Sequence, residues 1–179
     1  HSAMRYGNNI THDGVGTVVF GIKDKTQTDI RDIELVKNYF DKVGLDYKIP
    51  DDMQRDLWLK FMLNVSSNQP SAILGMTFGQ MQSNQKFMDF FVKIMEEVRK
   101  IAKAQGVKNT ETMIDEALEI FNKMIPEGKT SMLQDVESKR KTEVEMFAGT
   151  IIELGKKHNI PTPYNQIMKE MIEIIHESY

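Results

Sequence analysis

The sequence predicts a mainly α domain preceded by a small β-β-α-β piece. Two textures carry this expectation. From residue 51 onward apolar residues recur every three or four positions with few interruptions, which is the period of packed helices. Residues 1–50 instead hold short runs of β-branched and aromatic residues around a single helical pattern. The chain is accordingly divided into 1–50, an incomplete α/β piece, and 51–179, a helical domain.

In the first piece, Asn9 to Gly21 reads as two short β-rich runs joined through an Asp13-Gly14 turn, the pattern of a hairpin. The same stretch contains Gly14-x-Gly16. It is rejected as a phosphate site, because the third glycine is missing at the required spacing and a strand follows where a helix is needed. Ile30, Ile33, Val36, Phe40 and Val43 then mark a helix over 28–43 with Gly44 as its stop, and a short strand follows over 46–50.

Asp51 or Asp52 can cap the next helix. Leu57, Trp58, Leu59, Phe61, Met62, Leu63 and Val65 are apolar nearly all the way round, as in a buried helix. Pro70 and Gly75 predict a broken turn and short helical pieces over 69–82. A long helix is expected over 84–105, ended by Gly106, and another from Asn109 or Thr110 to before Pro126. One continuous helix is expected from Ser131 past Glu143 to about Lys157, and a last one over 164–177 after Pro161-x-Pro163.

Composition narrows the function classes. The chain of 179 residues is 40% hydrophobic and 27% charged with a net charge of -3, an ordinary globular balance. Nucleic acid is not expected as a partner, since phosphate recognition calls for a basic excess or stripe; Lys139-Arg140-Lys141 is short and flanked by Glu137 and Glu143. There is no cysteine, and the four histidines have no i, i+4 pair, so no metal is expected. No run approaches the roughly 20 apolar residues of a membrane span, and a cytoplasmic setting with no membrane partner is expected. The 13 methionines lie at apolar positions and read as adaptable core filler.

Lys60, Asn64 and Asn68 break the apolar run at i, i+4 spacing and fall within about 80° of arc on one helix face. An ammonium beside two neutral amides can grip and protonate a small polar molecule. The same residues, with Asp56 four positions before Lys60, also suit a solvated stripe carrying a weak surface ion pair.

The string Leu57-Trp58-x-Lys60-x-x-x-Asn64-x-x-x-Asn68, followed by Ser71-Ala72-Ile73, resembles the start of the C-terminal domain of the ketopantoate reductase family. A second string is similar to that family's other signature: Thr130-Ser131-Met132-Leu133-Gln134-Asp135-Val136, with Thr142-Glu143 on the same helix and Asn159-Ile160-Pro161-Thr162-Pro163 downstream. The resemblance covers nearly the whole chain. It implies that 1–50 is the tail of a Rossmann-type nucleotide-binding domain whose glycine fingerprint lies upstream of His1, and that the chain is a fragment carrying the substrate-side half of the site.

The function implied is that of an NADP-dependent 2-dehydropantoate 2-reductase, passing hydride from NADPH to a ketone and yielding pantoate on the route to coenzyme A. By the same resemblance Lys60 and Glu143 are catalytic, and Asn64, Asn68 and Ser131 bind or orient substrate. Lys60 is the acid, Glu143 a carboxylate near it, and Ser131 a partner of the substrate carboxylate. The bland alternatives are that Ser131 is a helix cap and Glu143 one exposed glutamate among several. Thr77-Phe78 departs from the family, other members of which present an asparagine side chain there. The partner implied is a small oxo acid, with homodimerisation left open. Alternatives are a related reductase for another oxo acid and a non-catalytic helical interaction module. The fragment alone is expected to be inactive.

Overall fold

The computed structural model describes residues 3–6, 8–12, 16–22 and 27–179. The chain forms two compact units, His1–Asp56 and Leu57–Tyr179.

In the first unit, β1 (Ala3–Tyr6) pairs antiparallel with β2 (Asn9–His12), Ala3 standing opposite His12 and Tyr6 opposite Asn9. β3 (Val18–Val19) pairs in parallel with β4 (Tyr47–Lys48), and α1 (Gln27–Val43) makes the crossover, giving a βαβ unit. The expected hairpin between the runs at 9–12 and 15–21 is therefore corrected. Both runs contain strands, but β2 finds its partner upstream and β3 finds its partner beyond α1. Strand patterning records which residues alternate and not which strand lies alongside. The Asp13-Gly14 turn and the first glycine of Gly14-x-Gly16 lie outside the described residues.

Phe20, Phe40 and Tyr47 meet between β3, α1 and β4, with ring centroids 5.3 to 5.8 Å apart. Gly44, with φ +67°, ends α1 in the left-handed conformation that glycine adopts without strain. No described hydrophobic side chain of this unit is fully buried, and Ile30, Leu35, Tyr39 and Val43 on α1 are exposed.

The second unit contains most of α2 (Met53–Leu74), then α3 (Phe78–Gln82), α4 (Gln85–Ala104), a 3-10 turn (Thr110–Thr112) leading into α5 (Met113–Asn122), and α6 (Ser131–Glu137). A π-helical turn (Glu145–Gly149) leads into α7 (Thr150–His158), and α8 (Pro163–Glu177) completes the chain. Asp52 accepts the Arg55 amide at 2.9 Å as the α2 cap, and Asn84 accepts the Phe87 amide at 3.1 Å as the α4 cap. The core gathers Val65, Phe91, Ile94, Phe121, Ile151 and Ile172, and Phe91 lies 4.5 Å from Phe121 between ring centroids. Met62, Met81, Met95, Met113, Met132 and Met168 are buried there too, as expected of irregular filler.

Two expectations fail in this unit. Pro70 does not break α2, which runs on to Leu74. Burial outweighs the proline cost here, since every residue from Val65 to Ala72 is buried. Ser67 Oγ donates to the Leu63 carbonyl at 2.7 Å and Gln69 Nε2 to the Val65 carbonyl at 2.8 Å, so side chains add hydrogen bonds around the proline.

The second failure is the long helix from Ser131. It stops at Glu137, where Lys139 takes φ +53°, the Arg140 amide bonds the Asp135 carbonyl at 2.8 Å and the Lys139 amide bonds that of Val136 at 3.0 Å. This is a Schellman ending with lysine in the place usually held by glycine. The Arg140 guanidinium also pairs with the Asp135 carboxylate at 2.7 Å. Ser131 and Glu143 are consequently not on one helix.

A buried polar junction joins α4, α8 and α2. The Glu97 carboxylate accepts the Tyr164 and Asn165 amides at 2.8 and 3.2 Å and Asn165 Nδ2 at 2.8 Å. It caps the start of α8 from another helix. Asn165 Oδ1 in turn accepts Gln69 Nε2 at 3.2 Å.

Candidate active site

Exposure falls along the α2 stripe. Lys60 is exposed, Asn64 half-buried and Asn68 only 6% exposed, so the stripe runs from solvent into the packed interior. The bland ion pair does not form, because Asp56 pairs with Lys48 at 3.6 Å. Among the described residues Lys60 has no hydrogen-bonding or ionic partner, and its ammonium is open to incoming groups.

The buried end of the stripe meets α6. Asn68 Oδ1 accepts Ser131 Oγ at 3.1 Å and the Met132 amide at 3.3 Å. Thr130, not Ser131, is the α6 cap: its Oγ1 accepts the Leu133 amide at 3.2 Å and donates to Ser71 Oγ at 3.0 Å. Ser71 Oγ in turn donates a hydrogen bond to the Met76 carbonyl at 2.8 Å. The bland reading of Ser131 as the cap is thereby removed. Ser131 stands at the first helical position, exposed, with its hydroxyl turned to Asn68.

Glu143 is exposed and precedes the π-helical turn, its carbonyl accepting the Phe147 amide at 3.1 Å. The Phe147 ring packs against Phe61, one residue from Lys60, with centroids 6.3 Å apart. The segment opened by Glu143 thus lies on the turn of α2 that carries Lys60, while Ser131 lies on the turn that carries Asn68. Lys60 and Glu143 form no ion pair. The structure joins Asn68 to Ser131 directly and brings the neighbours of Lys60 and Glu143 together.

Thr77 and Phe78 have structural roles. Thr77 and Gln80 form a capping box at α3, with the Thr77 amide bonded to Gln80 Oε1 at 2.8 Å, and the Phe78 ring packs edge-on against Phe121 at 6.1 Å. An open cleft of about 550 Å³ between α7 and α8, lined by Glu145, Lys156, Lys169 and Glu173 among others, does not include the α2 stripe. Sequence reasoning passed over His176, Lys169 and Tyr179, which touch the segment around Glu143 from α8 and the residues after it; only the Lys169 to Glu173 spacing of i, i+4 gave a sign.

Residues 52–176 match the family described as ketopantoate reductase PanE/ApbA C terminal. The chain belongs to this ketopantoate reductase family. It is similar to the 2-dehydropantoate 2-reductase of Pyrococcus horikoshii, 26% identical over 160 residues covering 89% of this chain and 52% of that protein. It is also similar to the 2-dehydropantoate 2-reductase of Aquifex aeolicus, 29% identical with 79% of this chain and 48% of that protein covered. The chain thus spans about half the length of these ketopantoate reductase relatives. Among solved structures, a D-mandelate dehydrogenase in complex with NADH shares the fold with a TM-score of 0.85 at 21% identity, covering 99% of this chain and 60% of that one. No helix among the described residues is long and apolar enough to cross a membrane.

Proposed function

We propose that this chain is the substrate-side half of an NADPH-dependent 2-dehydropantoate 2-reductase, with Lys60 as its general acid. The observation that carries the reading is the α2 stripe: an unpaired, accessible ammonium at one end and, at the other, an asparagine tied to Ser131.

The described residues do not fit the cofactor. Among them no strand runs through a glycine-rich turn into a helix, which is what a nucleotide pyrophosphate requires. NADPH is assigned to the part of the relatives' length that this chain does not span, and residues 1–50 are read as the tail of that nucleotide-binding domain. The exposed apolar residues of α1 and the βαβ unit suit a piece of a larger sheet. The reading places the protein in the cytoplasm.

The chemistry assigned to this chain is binding and protonation. Reduction of a ketone leaves a developing alkoxide, and Lys60 can donate the proton that neutralises it. Ser131 would hold the substrate carboxylate by turning its single O–H from Asn68 Oδ1 to the incoming anion, and Asn64 would contact the substrate between Ser131 and Lys60. Glu143 would fix the substrate hydroxyl. A reductase for a different 2-oxo acid is the second reading, favoured by the structural use of Thr77 and Phe78 at the position where other members present an asparagine.

Steady-state kinetics test both readings in the protein that joins this chain to its nucleotide-binding domain. Lys60→Ala is expected to lower kcat at least about a hundredfold with NADPH affinity unchanged. Glu143→Ala is expected to weaken substrate affinity more than kcat. Retention of more than about a tenth of parent turnover by Lys60→Ala would remove it as the acid. Faster turnover of other 2-oxo acids than of 2-dehydropantoate would favour the second reading.

A further inference from the structure

We propose that α8 is a splint for Glu143, with His176 as its principal positioning residue. The inference rests on the role given to Glu143 above.

Three tethers reach the segment 140–145 from α8 and the residues that follow it. Tyr179 donates its hydroxyl to the Arg140 carbonyl at 3.0 Å, His176 Nε2 accepts the Thr142 amide at 3.3 Å, and Lys169 Nζ pairs with Glu145 Oε1 at 2.8 Å. They fall on both sides of Glu143, whose own side chain is left exposed. Lys169, Glu173 and His176 share one face of α8 at i, i+4 and i+7 spacing. Glu173 holds Lys169 at 2.6 Å, and the His176 ring lies edge-on to Tyr179 with centroids 6.1 Å apart.

The segment needs such support. Lys139 ends α6 in a left-handed conformation and residues 140–143 belong to no regular element, so no helical bonds fix the Glu143 backbone from its N-terminal side. On the C-terminal side the π-helical turn offsets the backbone, a feature found often beside functional residues. A Cβ at Gly149 would stand 2.5 Å from Glu145 Oε2, so a side chain there would shift the end of the glutamate that Lys169 holds.

Of the three tethers, His176 acts nearest to Glu143, on the amide of the preceding residue. An Nε2 that accepts a hydrogen bond carries its proton on Nδ1, so the tether requires the neutral ring in that tautomer. Without it the Thr142 amide loses its acceptor and Glu143 is free to swing.

The test is a double-mutant comparison in the reductase that joins this chain to its nucleotide-binding domain. His176→Phe is expected to raise KM for the oxo acid about tenfold to a hundredfold while leaving KM for NADPH unchanged. His176→Gln, which restores an acceptor, should recover most of the loss. In the Glu143→Ala background, His176→Phe should add nothing, because residues acting through one group are not additive. Equal losses in both backgrounds would show a merely structural role and overturn the proposal. A damaged Glu143→Ala beside an unaffected His176→Phe would overturn it alone, whereas a parent-like Glu143→Ala would overturn the role of Glu143 and the splint with it.

Discussion

Asn68 and Ser131, 63 positions apart, share a hydrogen bond of 3.1 Å, and the same asparagine oxygen takes the Met132 amide at 3.3 Å. A side chain deep in α2 thus satisfies a backbone donor at the open start of α6 and fixes where Ser131 stands.

Asn68→Ala should destabilise the helical unit by about 1–3 kcal/mol, the cost of leaving a buried donor without its acceptor. Asn68→Asp, which keeps an acceptor oxygen, should lose less. Urea denaturation of the three proteins measures the difference. Equal midpoints for parent and Asn68→Ala would mean that the contact carries no weight.

Glu97 presents the same logic with a charge. Its carboxylate takes three donors at the head of α8, and Glu97→Ala leaves all three unpaired in a buried place. The expected loss is about 2–3 kcal/mol or more, with Glu97→Gln between parent and alanine variant. Thermal unfolding followed by far-UV circular dichroism reads this, and fraying should begin at residues 163–166.

Stability should fall on the alkaline side. Lys169 is held protonated above lysine's ordinary 10.5, first by its bond to Glu145 and then by that to Glu173. A pKa raised in the folded state means that this contribution is complete below the unfolded value and fades as pH climbs through the folded one. Tyr47 acts in the same sense. Partial burial, and next its 2.8 Å bond to Asp41, lift its hydroxyl above the ordinary 10.0, so its contribution also fades in strong alkali. Urea midpoints should stay level to about pH 10 and then drop, and Lys169→Met should flatten part of that drop.

The helices that announced themselves share one trait. In α1, α4 and α8 an uninterrupted apolar period is closed by a glycine or opened by a proline, and each lies within a residue of its expected ends. Sequence patterning failed where tertiary contacts outweighed it. Pro70 sits inside α2 because the surrounding turns are wholly buried, and α6 ends at a left-handed Lys139 that no local preference foretells. Strand β1 and the parallel pairing of β3 with β4 were equally hidden, since pairing is a long-range choice.

For the site, the Lys60, Asn64 and Asn68 stripe was legible from spacing. The graded exposure along it, and the bond from Asn68 to Ser131, depend on packing between distant segments. His176 had no local signature at all, because its partner is the amide of Thr142, 34 positions away.

The break at Lys139 changes what the twelve-residue interval between Ser131 and Glu143 means. In a continuous helix that interval would be a rigid ruler of about 18 Å, and one inserted residue would rotate everything downstream by about 100°. Here each end is moored to its own support, Ser131 to α2 and the flanks of Glu143 to α8 and its tail. Residues 138–140 are themselves held, by the ending of α6, the Arg140 to Asp135 pair and the Tyr179 hydroxyl, so separate supports and not one helical ruler set the spacing between Ser131 and Glu143.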